Sequence, residues 1–61
     1  MISKSEVIKG REVVCPDGIG RISDYSFKFP NTWVQVTTYF DNRDCKWDPK
    51  NVSVLEKSYE Q

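Results

Sequence analysis

The chain has 61 residues, nine basic and nine acidic side chains, zero formal net charge and no histidine. A chain this short forms one small domain that buries only about 60% of its unfolded surface, and it has no apolar run near the roughly 20 residues of a membrane span. Lack of histidine removes the commonest general base and the commonest metal ligand together, so neither an enzyme nor a metal protein is expected, and no cofactor.

The 23 apolar residues are seven Val, four Ile, three Phe, three Tyr, two Trp, two Cys, Leu55 and Met1, with no alanine. Helices draw mainly on Ala and Leu, whereas β-branched and aromatic residues suit strands. The N-terminal run Met1-Ile2-Ser3-Lys4-Ser5-Glu6 is polar and precedes only Val7-Ile8 before Lys9. It offers no signal-peptide core, and a cytoplasmic protein is expected. Two cysteines are too few for a secreted disulfide scaffold. Cys15 and Cys45 are read as reduced, buried small hydrophobes.

In chain order, turn chemistry falls at Gly10, Pro16-Asp17-Gly18, Phe29-Pro30-Asn31, Asp41-Asn42-Arg43-Asp44 and Asp48-Pro49-Lys50-Asn51, where Pro presets φ and Gly or Asn accepts positive φ. Five strands are predicted between these points: Arg11 to Cys15, Ile19 to Phe29, Trp33 to Phe40, Cys45 to Asp48 and Val52 to Leu55. Their lengths and spacing fit an all-β, five-stranded SH3-like barrel with a short 3₁₀ turn at Pro49-Lys50-Asn51 before the last strand. The expected ordered core runs from about residue 7 to 56, followed by a short polar tail from Lys57 to Gln61 that frays or forms a helical turn.

Alternation assigns faces. Val13 and Cys15 share one, as do Gly20 and Ile22; a bend or bulge is expected near Ser23-Asp24 because a long second strand in a small barrel must turn. In the third strand Val34, Val36, Thr38 and Phe40 form the core set, and Trp33, Gln35, Thr37 and Tyr39 face outward. Cys45, Trp47, Val52 and Leu55 or Val54 close the core. A barrel this small cannot enclose Tyr25, Phe27, Phe29, Trp33, Tyr39 and Trp47 together. An exposed strip of Trp33, Tyr25, Phe27, Tyr39 and Gln35 across the second and third strands is therefore the candidate partner-binding face.

The run Gly10-Arg11-Glu12-Val13-Val14-Cys15-Pro16-Asp17-Gly18-Ile19-Gly20-Arg21-Ile22 resembles the opening of SH3-like barrels. It is similar above all to the RNA-polymerase-interacting domain of CarD-type regulators and transcription-repair coupling factors, with Pro49, Val52 and Leu55 standing where that pattern closes. The resemblance spans residues 10 to 56 and implies an SH3-like barrel that docks on RNA polymerase. Asp17 departs from the His usual before the family's glycine turn. KOW and Tudor-like barrels share the same glycine motifs and imply nucleic-acid binding instead. The glycine motif also recurs in the plasmid-encoded dihydrofolate reductase barrel, whose Gln-rich strand is matched here by Cys45-Lys46-Trp47-Asp48, so no catalytic residue carries over.

Basic residues are interrupted by acidic neighbours, Glu12 beside Arg11, Asp44 beside Arg43 and Asp48 near Lys46. This mixture favours a protein partner over nucleic acid, whose affinity rests on clustered cations. Asp41-Asn42-Arg43-Asp44 lacks the Gly and distal Glu of a calcium loop and reads as a hairpin turn. A third expectation is a ligand site completed by a homo-oligomer. Small independent barrels of this size are also common in phage and mobile-element genomes.

Overall fold

The computed structural model describes residues 1–56; the tail expected over residues 57–61 lies outside them. Five strands form, β1 (Glu12–Cys15), β2 (Gly18–Lys28), β3 (Asn31–Thr38), β4 (Asp44–Trp47) and β5 (Ser53–Val54), with 3₁₀ turns at Lys4–Glu6 and Pro49–Asn51. All pair antiparallel in one sheet of order β4-β3-β2-β1-β5. The all-β composition and the turn at Pro49 thus fold as the sequence indicates. The ladder itself is unclosed, because β4 and β5 remain its two edges. The reason is local: Asp48 caps a 3₁₀ turn by accepting the Lys50 N–H, Pro49 lies in its first turn, and β5 is left only two residues long.

β1 and β2 meet across Pro16-Asp17, where Gly18 adopts φ +129°, a conformation that excludes other residues at low cost. Gly20 is required for a different reason. It lies against Thr38 on β3, and a Cβ there would stand 2.2 Å from the Thr37 carbonyl oxygen.

The core comprises Ile2, Val7, Val13, Cys15, Ile22, Val34, Val36 and Val52, with Phe27, Trp47 and Val54 packed against it. Its N-terminal members extend the ordered part beyond residue 7. Ile2 is buried because its N–H donates to the Pro49 carbonyl, and the Glu6 carboxylate folds the next turn by accepting from the Ser3 N–H and hydroxyl. Gly10 N–H donates to the Ile22 carbonyl and Ile22 N–H to the Arg11 carbonyl, fixing this segment along β2.

Alternation places Phe40 in the core, whereas it is 97% exposed. β3 ends at Thr38, whose N–H donates to the Arg43 carbonyl, while Asn42 takes φ 55° and donates to the Thr38 carbonyl. The chain has left the pleat before Phe40, so period-two alternation no longer applies. Thr38 is the buried polar residue of the core face, and its hydroxyl donates to the Asp41 carboxylate.

The register of β2 against β3 shifts between Ile22 and Asp24, leaving Ser23 as an extra residue. This bulge falls where the sequence predicted it. Ser23 is held by Gln35, whose side-chain amide donates to the Ser23 hydroxyl at 3.0 Å.

Candidate functional site

One extra residue in a strand moves every later side chain to the opposite face. Before the bulge Ile22 opposes Val36; after it Tyr25 opposes Val34 and Phe27 opposes Thr32. Directly paired residues share a face, so Tyr25 and Phe27 lie on the core side and Trp33, opposite Ser26, lies on the outer side. The single strip of Trp33, Tyr25, Phe27, Tyr39 and Gln35 is therefore divided between two faces. Trp33, Gln35 and Tyr39 remain together. Phe27 is half-buried against the core, its ring 6.0 Å from that of Tyr25 and 5.9 Å from the Lys4 ammonium.

The outer face resolves into rows running across the strands. At one end Val14 on β1 opposes Ile19 on β2, and Ile19 accepts from the Tyr39 N–H just beyond β3; all three side chains are exposed. The second row is polar: Glu12 opposes Arg21, Arg21 opposes Thr37, and Thr37 opposes Asp44 and donates its hydroxyl to that carboxylate. The third row is Asp24, Gln35 and Lys46, and the fourth is Ser26 and Trp33.

Two aromatic rings on this face are fixed by cations. The Arg21 Nε donates to the Tyr39 hydroxyl at 2.7 Å, its guanidinium lies 5.7 Å from the ring, and the hydroxyl in turn donates to Glu12 at 2.7 Å. The Tyr39 hydroxyl, as acceptor, raises the Arg21 pKa, so the cation is permanent. The Lys46 ammonium sits 4.3 Å from the centre of the half-buried Trp33 ring. A cation placed so is attracted to the ring quadrupole by about 0.5–1 kcal/mol at an exposed site. Each ring thus has a contact that favours one orientation before any partner arrives, which lowers the entropy lost on docking.

Sequence reasoning missed the exposure of Val14 and Ile19. Their signal was present, because Val13 and Cys15 facing inward leave Val14 facing outward, and the tight turn then sets Ile19 against it. It also missed the solvent position of Phe29, 94% exposed at the tip of the β2–β3 hairpin. Trp47 is half-buried against the core, and its enclosed Nε1–H has no acceptor among the described residues.

Both cysteines are free thiols, Cys15 buried and Cys45 half-buried. Burial raises the Cys45 pKa, and the Asp17 carboxylate that accepts its S–H at 3.5 Å raises it further. The thiol is protonated at neutral pH and poorly nucleophilic. Among the described residues no group of three or more His, Cys, Asp or Glu is placed to hold a metal ion, and no helix is long and apolar enough to cross a membrane.

Comparison of the chain with protein-family models, with curated proteins and with solved structures gives no match in any of the three.

Proposed function

We propose that this chain is a non-catalytic, cytoplasmic adaptor of SH3-like type that docks on a larger protein through the outer face of β1, β2 and β3. The observation that carries the reading is the row Val14, Ile19 and Tyr39, three exposed side chains abreast on β1, on β2 and just beyond the end of β3, on the face that also presents Trp33. Contiguous apolar surface rimmed by charge is characteristic of protein contacts. Trp33 and Tyr39 supply the anchors, Gln35 a hydrogen-bonding amide, and Arg21 with Glu12 a polar rim. Tyr25 and Phe27, on the other face, are not part of this surface.

The SH3-like assignment is supported by the meander order, the return of β5 to β1, the bend at Ser23 and the 3₁₀ turn ahead of β5. The resemblance of residues 10 to 56 to the polymerase-interacting domain of CarD-type regulators makes RNA polymerase the first partner to assay. Nucleic acid is disfavoured because Arg21 and Lys46 are each matched by a carboxylate one strand away or in the neighbouring row.

The test is a pull-down on immobilised full chain from nuclease-treated lysate, run beside Trp33→Ala. Retention of a protein by the parent and its loss by the variant supports the docking reading. Binding that disappears with nuclease for both chains replaces it with nucleic-acid recognition.

A further inference from the structure

We infer that β4 is the contact of a two-fold homodimer in which the β4 strands of two copies pair antiparallel and join their sheets. Among the described residues β4 is hydrogen-bonded to β3 alone and forms one edge of the sheet, and an edge strand presents unpaired N–H and C=O groups that a second strand can complete. The other edge, β5, has two residues and offers much less.

Charge decides which register is available. Asp44 and Lys46 lie on the outer face, opposite Thr37 and Gln35, and Cys45 faces inward opposite the buried Val36. Two copies related by an axis perpendicular to the sheet keep outer face beside outer face only when an odd-numbered partner faces an odd one and an even an even. Within Asp44–Trp47 the registers centred on Cys45 and on Lys46 overlap by three residues, and those centred on Asp44 and on Trp47 by one. Centring on Asp44 sets that carboxylate against itself. Centring on Lys46 sets two ammonium groups together and Asp44 against Asp48. Centring on Cys45 sets Asp44 against Lys46 of the second copy twice over, with the two Cys45 side chains directly opposed.

Like charges directly opposite destabilise a strand pair and unlike charges stabilise it, so the Cys45-centred register is selected. Asp44 receives the Thr37 hydroxyl on one oxygen and retains a second for the incoming ammonium, and Lys46 is exposed above Trp33. A four-residue strand contact belongs to the class of interfaces under about 1,200 Å², which associate weakly. The dimer is accordingly expected to have a Kd in the micromolar range or above. It rests on the β4 edge and not on the proposed docking face, whose rows it would extend across both copies.

The experiment is sedimentation equilibrium of the full chain over a concentration series, with diamide cross-linking under alkaline conditions, because burial and Asp17 hold the Cys45 thiol pKa above its ordinary value. Each cross-link consumes two thiols, whose two electrons and two protons pass to the diamide N=N bond. The parent and Cys15→Ser should form a covalent dimer on a non-reducing gel, and Cys45→Ser should not. Asp44→Lys should weaken association at least about tenfold, and the exchanged pair Asp44→Lys with Lys46→Asp should restore it; circular dichroism checks that each variant is folded. A parent that stays monomeric throughout, or a dimer that neither cross-links through Cys45 nor responds to Asp44→Lys, overturns the proposal. Loss of partner capture by Trp33→Ala with dimerisation intact separates this contact from the docking face.

Discussion

Trp33 and Gly20 show how single residues constrain the outer face. The Trp33 ring is held between its own strand and the Lys46 ammonium, 4.3 Å from the ring centre, so its orientation depends on a side chain from a different strand. Gly20 acts by what it lacks: the β3 backbone runs so close that a methyl group would meet the Thr37 carbonyl at 2.2 Å. Gly20→Ala must push β2 from β3 and disturb the Arg21–Tyr39–Glu12 network beside it. It should destabilise the domain by about 3 kcal/mol or more, at the upper end of overpacking costs, measured by urea unfolding. A variant as stable as the parent would mean that the two strands are not so closely apposed.

At the scale of elements, the bulge in β2 is what separates the two faces. With Ser23 left unpaired, Tyr25 stands opposite Val34 and Phe27 opposite Thr32, on the core side; strict alternation through Ser23 would turn both rings outward. Phe27 packs against the core from this side, and Phe27→Ala should cost about 2 kcal/mol or more by lost burial, with increased binding of a hydrophobic dye; a variant as stable as the parent would place the ring outside the core. The turns that hold the ends of the sheet respond to acid. The Glu6 carboxylate accepts from the Ser3 N–H and hydroxyl, and that of Asp41 from the Thr38 hydroxyl, and both pKa values lie below their ordinary 4.5 and 3.8. The folded chain therefore keeps these groups ionised where the unfolded chain protonates them. Their stabilisation is complete above about pH 4.5 and is lost as the pH falls through the depressed folded values. Melting temperatures recorded down the acid limb should fall for the parent and fall less steeply for Glu6→Gln with Asp41→Asn; equal slopes would remove these two groups from the account.

The sequence made these elements legible to different degrees. β-branched runs and turn residues located all five strands, the bulge and the 3₁₀ turn, because each depends on local backbone preference. The inward set Val13, Cys15, Ile22, Val34 and Val36 followed from alternation within continuous strands. Phe40 did not, since the turn after Thr38 breaks the pleat, and Ile2 did not, since its burial depends on a hydrogen bond to Pro49, far along the chain. Of the candidate site, Trp33, Gln35 and Tyr39 were placed correctly on the outer face. Tyr25 and Phe27 lie on the other face, because the unpaired Ser23 changes the phase of the residues after it by one.

Over the whole molecule, a core of small aliphatic residues supports a sheet with chemically different faces. One is closed by the N-terminal segment and carries Phe27 and Tyr25; the other is open and carries Trp33, Gln35, Tyr39, Val14 and Ile19. The central claim is that partner binding belongs to the open face. Its most direct test is calorimetric titration of one captured partner with the parent, Trp33→Ala and Tyr25→Ala, each checked for folding by thermal melt. Trp33→Ala should weaken binding by about 2 kcal/mol or more, the loss typical of an interface anchor, and Tyr25→Ala should leave the affinity unchanged. A folded Trp33→Ala that binds as tightly as the parent, or a Tyr25→Ala that loses the partner, contradicts the assignment of the docking surface to the outer face.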